Sequence, residues 1–252
     1  GKYFDNYIFI IMENNDMQYV LKNPKYASLI SQGVEFTNYH ATVHPSQPNY
    51  WSTIAQSTFR GLIDAKSKKP IDQDSGDNTF NVTGAPMIAD SLEAAGLDWA
   101  IYSENYPGNA TYCFTDDGAG TEANVTDATK PEFSFDHKGA MNRLYKRKHN
   151  PFVSFDSIYN NAARCGAHVK DVERDWAGAV AADVFPEYSY IVPNQVDDAH
   201  DFSGDNEDGT QSESDKVGIE YSAAWLIKVL GQIQNSTYLN NRRTLVHITF
   251  DE

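Results

Sequence analysis

The stretch that leaves this chain the fewest folding options is Tyr7-Ile8-Phe9-Ile10-Ile11-Met12. It is a continuous apolar run, β-branched and aromatic, of the length of a strand buried on both faces. It ends abruptly in Glu13-Asn14-Asn15-Asp16. Further along, Ala85 to Gly96 places Pro86 where a first helical turn is expected, Ile88, Leu92 and Ala95 at helical spacing, and Gly96 where a helix stops. The strand Leu97 to Ser103 follows, and Tyr188 to Pro193 reads as another that leads into Asn194-Gln195-Val196-Asp197-Asp198-Ala199-His200-Asp201. Between Ser214 and Gly231, Val217, Tyr221, Ala224 and Trp225 fall at i, i+4, i+7 and i+8, an amphipathic helix, and Thr244 to Phe250 is a last strand.

Strands alternating with helices predict an α/β fold, a largely parallel central sheet with helices on both faces. The stretches 66 to 80, 105 to 135 and 197 to 213, rich in Gly, Asp, Asn and Ser, read as loops over the carboxyl edge of that sheet. No repeat or low-complexity tract breaks the pattern, and the 252 residues suit one domain, 1 to 252.

Charge narrows the function. Lys and Arg number 20 against 35 Asp and Glu, a net −15, which repels a nucleic-acid backbone. No apolar run is long enough for a bilayer span, and no basic-then-apolar leader follows Gly1. Glycosylation triplets begin at Asn81, Asn109, Asn124 and Asn235, a pattern that points to a secreted, extracellular or cell-wall protein. The two cysteines, Cys113 and Cys165, allow one disulfide in an oxidising compartment or two separate buried thiols.

The first and last strands end alike, one in Glu13-Asn14 and the other in Asp251-Glu252. In an open parallel sheet, ligands bind outside the carboxyl ends of the strands. Gathering these carboxylates there raises their pKa values and costs several kcal/mol unless a cation sits among them. Carboxylates with an Asn carbonyl make an all-oxygen set suited to one hard divalent ion, Ca, Mg or Zn. Either acidic pair alone simply begins a polar loop.

Ser46, in His44-Pro45-Ser46-Gln47-Pro48-Asn49, lies just ahead of a helix expected over 49 to 58, with Pro48 at its first turn. Backbone N–H groups and the helix dipole favour an anion there. A serine hydroxyl needs a base or a metal to act as a nucleophile, and the carboxylate-bound ion supplies one. The ordinary alternative is a Ser N-cap. Of the histidines, His149 and His200 are placed to donate to a phosphoryl oxygen or to protonate a leaving group. His40 and His44 rank behind them, His247 inside a strand reads as structural, and His137 and His168 carry no assignment.

Taken in order, the segments IIMEN, HPSQPNYW, IADSLEAAGLDWAIYSENYPG, KHNPF, YIVPN with DAHD, and ITFDE resemble the phosphoesterase family of secreted acid phosphatases, including fungal phosphate-repressible ones, and bacterial phospholipase C enzymes. That family is related in fold to alkaline phosphatases. The resemblance implies metal binding by Glu13, Asn14, Ser46, Asp251 and Glu252, a Ser46 nucleophile, and phosphoryl contacts from His149 and His200. The implied function is a metal-dependent acid phosphatase acting on small phosphate monoesters through a phosphoserine. The alternatives are a phosphodiesterase or phospholipase C with the same site, or a glycosylated Ca-binding protein without activity. Because relatives continue beyond the last of these motifs, the reading is a polypeptide truncated or cleaved after Glu252, or one completed by a second chain or a homo-oligomer.

Overall fold

The computed structural model describes residues 2–59, 81–115, 144–200, 211 and 213–252. Among these residues five strands form one sheet: β1 (Asn6–Met12), β2 (Trp99–Ser103), β3 (Val169–Asp171), β4 (Tyr188–Val192) and β5 (Thr244–Phe250), in the order β3-β2-β4-β1-β5. Every neighbouring pair is parallel. The apolar run is therefore central, flanked by β4 and β5, and all of its residues except Tyr7 are buried.

A parallel sheet needs cover on both faces, and strand alternation supplies two apolar surfaces. Phe9 and Ile11 face one core with Tyr190 and Ile101, covered by α3 (Ser46–Ala55), α4 (Ile88–Ala94), α5 (Asp156–Tyr159), α6 (Ala162–His168) and the 3₁₀ turns Arg147–His149 and Pro151–Ser154. Ile8, Ile10 and Met12 face the other, covered by α1 (Met17–Val20), α2 (Pro24–Ile30), α7 (Ala177–Ala182), α8 (Glu213–Asn235), α9 (Thr237–Asn240) and the π-helical turn Val172–Trp176. The expected α/β architecture with helices on both faces is what the chain adopts. Among the described residues no helix is long and apolar enough to cross a membrane.

Local details depart from the sequence reading. The Ser46 helix begins at Ser46 itself, with Pro45 as its N-cap, rather than after it. Pro86 lies outside α4, whose N-cap is Met87, and Gly96, at φ +69°, takes the left-handed conformation that ends this helix region. β3 has only three residues, too few to register as an apolar run. Cys113 and Cys165 are joined in a disulfide, Cα–Cα 5.6 Å, which decides between the two cysteine readings. Asn124 and His137 lie outside the described residues.

Candidate active site

The register of the sheet builds the site. Met12 of β1 pairs with Phe250 of β5, so Glu13 and Asp251 leave adjacent strand ends at one level, and the Asp251 N–H donates to Met12 O at 3.0 Å, extending the ladder. Counting by twos from Phe9 and Ile11 puts Glu13 on the face covered by α3. The N-terminal turn of α3 thus meets the ends of β1 and β5. That turn has no side-chain cap and no acidic residue, which leaves the positive end of the helix dipole uncompensated by a carboxylate of its own.

Glu13 is completely buried and is the hub of the contacts. The Ser46 hydroxyl donates to Glu13 Oε2 at 3.2 Å, the Tyr50 hydroxyl donates to Oε1 at 3.0 Å, and His149 Nε2 lies 2.8 Å from Oε1. The imidazole of His149 stacks on the Tyr50 ring, centroids 5.2 Å apart and 10° between planes. Burial alone would raise the Glu13 carboxyl. Attraction to the neighbouring His149 side chain, reinforced by Lys148 and His200, instead holds it at about 2. Burial likewise pushes the Tyr50 phenol well up, with Glu13 adding to the shift, so Tyr50 stays a donor.

Asp251 behaves in the opposite sense. Burial first, then repulsion from Glu13 and Glu252, pushes its carboxyl up to about 10, and the neighbouring Ser46 offsets this only in part. Among the described residues, neither Asp251 carboxylate oxygen nor Asn14 Oδ1, all buried, has a well-formed hydrogen-bond partner. Glu252 is held by His44 Nδ1 at 2.7 Å and by Asn49 Nδ2 at 3.2 Å. The remaining atoms of Asn49 bind the preceding segment, accepting from Thr42 N and Val43 N and donating to Val43 O.

Of the residues chosen from sequence, Ser46 and His149 each touch Glu13, with Asp251 and Glu252 nearby. His200 is half-buried and reaches Glu13 through charge, while its backbone N–H donates to Asp198 Oδ1 at 2.9 Å. Tyr50, Asn49, Gln195, Asp198 and His44 were not chosen. Ser46, Asn49 and Tyr50 stand at i, i+3 and i+4, the spacing of one helix face, so periodicity held a signal for two of them. His247, read as structural, bonds Tyr7 Oη through Nδ1 at 2.7 Å on β1 and β5, away from Ser46 in sequence and register.

Whether a divalent cation suits this donor set can be judged from the unpaired oxygens. Asn14 Oδ1 and the two Asp251 oxygens are buried, oxygen-only and uncompensated, the condition a hard cation relieves. Among the described residues no three His, Cys, Asp or Glu side chains already stand together as a metal shell. The contacts of Glu13 with His149 and of Glu252 with His44 account for two carboxylates that point elsewhere. The donor chemistry fits, with carboxylates that must turn from protein partners to a metal.

A model of the Phosphoesterase family matches residues 7–252. A protein of Kluyveromyces lactis described as a probable acid phosphatase is 28% identical over 252 residues, covering 100% of this chain and 48% of that protein. An acid phosphatase of Aspergillus fumigatus is 27% identical over 256 residues, covering 100% of this chain and 45% of its own length. A phosphatidylinositol-3-phosphatase of Mycobacterium tuberculosis is 25% identical over 255 residues, with 99% of this chain and 64% of that protein aligned. The chain spans about half the length of the fungal relatives it matches.

Proposed function

The chain belongs to the Phosphoesterase family, and from that premise we propose that it is an acid phosphatase that hydrolyses small phosphate monoesters with Ser46 as nucleophile. The observation that carries this reading is Ser46 buried at the start of α3, hydrogen-bonded to Glu13 where the ends of β1 and β5 meet. Ser46 Oγ, passing its proton to the Glu13 carboxylate to which it donates, attacks phosphorus in line, an Oγ–P bond forms, and the bond to the ester oxygen breaks. The departing alcohol takes a proton from a histidine of the site, His149 or His200. Water then attacks the phosphoserine, releasing phosphate and restoring the hydroxyl. Glu13 accepts from the Ser46 hydroxyl and so fixes its rotamer, while the first turn of α3 offers its dipole to the phosphoryl oxygens.

A divalent cation held by Glu13, Asn14, Asp251 and Glu252, with Ser46 as a further ligand, would supply positive charge that acidifies the serine hydroxyl and offsets phosphoryl charge. Chelation of the purified protein is expected to abolish turnover, and back-titration with Mg²⁺, Ca²⁺ or Zn²⁺ to restore it with one of them. Full activity after exhaustive chelation would remove the metal from the reading. Ser46→Ala is expected to lose turnover of p-nitrophenyl phosphate by a factor on the order of a thousand or more with an unchanged circular dichroism spectrum. Near-normal rates would take Ser46 out of the chemistry.

A second reading keeps the site and changes the substrate to a phosphodiester or a phospholipid headgroup. What favours it is the apolar stretch ahead of the site segment, where Val34 (84% exposed), Phe36 and Tyr39 face solvent. A strong preference for bis(p-nitrophenyl) phosphate over the monoester would decide for it. Bound Ca²⁺ with hydrolysis of neither ester would instead support a non-enzymatic glycoprotein.

We also infer that the protein is secreted. The Cys113–Cys165 disulfide belongs to oxidising compartments, and Asn109 and Asn235 are exposed acceptor residues. Asn81 is only partly exposed, and its Oδ1 accepts from the buried Arg147 guanidinium at 2.9 Å.

A further inference from the structure

Beside His149, on the side away from Glu13, lies the side chain of Gln195, only 6% exposed. Its Nε2 lies 2.7 Å from Asp198 Oδ2 and 3.3 Å from His149 Nδ1. A carboxylate oxygen only accepts, so the amide nitrogen, not its oxygen, must face Asp198. The second hydrogen of that same nitrogen is then the one directed at Nδ1. An N–H pointing at Nδ1 requires a lone pair there.

The surroundings hold this arrangement in place. The Gln195 backbone N–H donates to Leu144 O at 3.0 Å, which ties it to the segment leading into His149. Asp198 carries the other end. Its main-chain oxygen accepts from Glu13 N at 2.9 Å, and its Oδ1 accepts from His200 N at 2.9 Å. These bonds link Glu13 N–H to Asp198, and Asp198 through Gln195 to His149 Nδ1, while His149 Nε2 lies 2.8 Å from Glu13 Oε1.

We propose that Gln195, oriented by Asp198, is a positioning residue that fixes the tautomer of His149, keeping the proton of the neutral ring on Nε2, directed toward Glu13 and Ser46. With the opposite tautomer, two N–H groups would meet at Nδ1 and a bare nitrogen lone pair would face the Glu13 carboxylate. Both contacts are repulsive. Gln195 therefore decides that His149 offers a donor to whatever oxygen enters between it and Ser46. The idea rests on the reading of His149 as a phosphoryl-contacting residue, but its central claim concerns the ring itself and is measured without substrate.

The test is long-range ¹H–¹⁵N correlation on the intact chain labelled with ¹⁵N-histidine, at a pH where imidazoles are neutral, with the His149 signals assigned by their loss in His149→Asn. The two neutral tautomers give distinct nitrogen shifts and cross-peak patterns. The wild type is expected to show protonated Nε2 and bare Nδ1. Gln195→Glu puts an acceptor in place of the donor and is expected to move the proton to Nδ1. Gln195→Leu, close in size and unable to donate, is expected to give averaged shifts from both tautomers. In both variants kcat falls on the order of tenfold or more with KM little changed, as for a misdirected hydrogen-bond donor to the phosphoryl group. A wild-type spectrum showing Nδ1–H, or an Nε2–H pattern unchanged in both variants, overturns the proposal. Absence of any phosphoester hydrolysis by the wild type would defeat the phosphatase reading while leaving the ring spectrum as it was, so the two failures are separable.

Discussion

Glu13 has no solvent contact, yet a hydroxyl from Ser46, a phenol from Tyr50 and an imidazole from His149 converge on its carboxylate. A buried carboxylate survives only with such partners, so removing one is felt in stability as well as chemistry. Tyr50→Phe is expected to cost ~1–3 kcal/mol, read from urea unfolding, since it deletes a charge-assisted hydrogen bond and leaves the ring stack in place. No change in midpoint would mean that Tyr50 is not a working partner of Glu13. His247 makes a pH prediction of known sign. Burial lowers its pKa, so the folded chain holds the neutral ring, and on acidification the unfolded chain takes the proton first. The stabilising contribution is present above the ordinary value of about 6.5 and is lost as pH falls through it toward the depressed folded value. Because the ring is half-exposed, solvent reduces the effect to less than about 1 kcal/mol. His247→Gln is expected to flatten the unfolding midpoint between pH 7.5 and pH 5, and an unaltered slope counts against it. Both Glu13 and His149 were legible as single residues. Their contact was not, because nothing in a linear chain reports which of seven histidines lies 2.8 Å from a given carboxylate.

Among the elements, α3 has a divided task. Ser46, Asn49 and Tyr50 serve the site while Trp51 and Ile54 sink into the core beneath it. Ile54 is 2% exposed, so Ile54→Ala is expected to destabilise by ~2–5 kcal/mol in chemical unfolding, transfer plus cavity. A loss under about 1 kcal/mol would show that α3 is only loosely seated. The strands were the most readable elements, since runs such as Tyr188 to Val192 are buried on both faces and mostly apolar for that reason. The start of α3 was misplaced by position, because proline at 48 tolerates several helix starts and only packing against β1 selects Ser46.

For the molecule as a whole, the disulfide ties together chain segments 52 residues apart. Replacing both Cys113 and Cys165 by alanine is expected to lower stability by ~2–4 kcal/mol, measured against the oxidised protein, and equal stability would make the crosslink inconsequential. If the chain passes through a glycosylating secretory route, glycopeptide mass spectrometry is expected to find the exposed Asn109 and Asn235 occupied, and both bare would count against that route. The sequence by itself determined the α/β class, the parallel sheet and the acidic ends of its first and last strands, because burial and strand polarity are written into local runs of residues. Only the tertiary structure decided that β5 lies beside β1, that Met12 pairs with Phe250, and that Glu13 meets both Ser46 and His149. Those contacts join residues separated by 33 to more than 200 positions, and long-range pairing is set by the packing of two cores on one sheet, which no local pattern encodes.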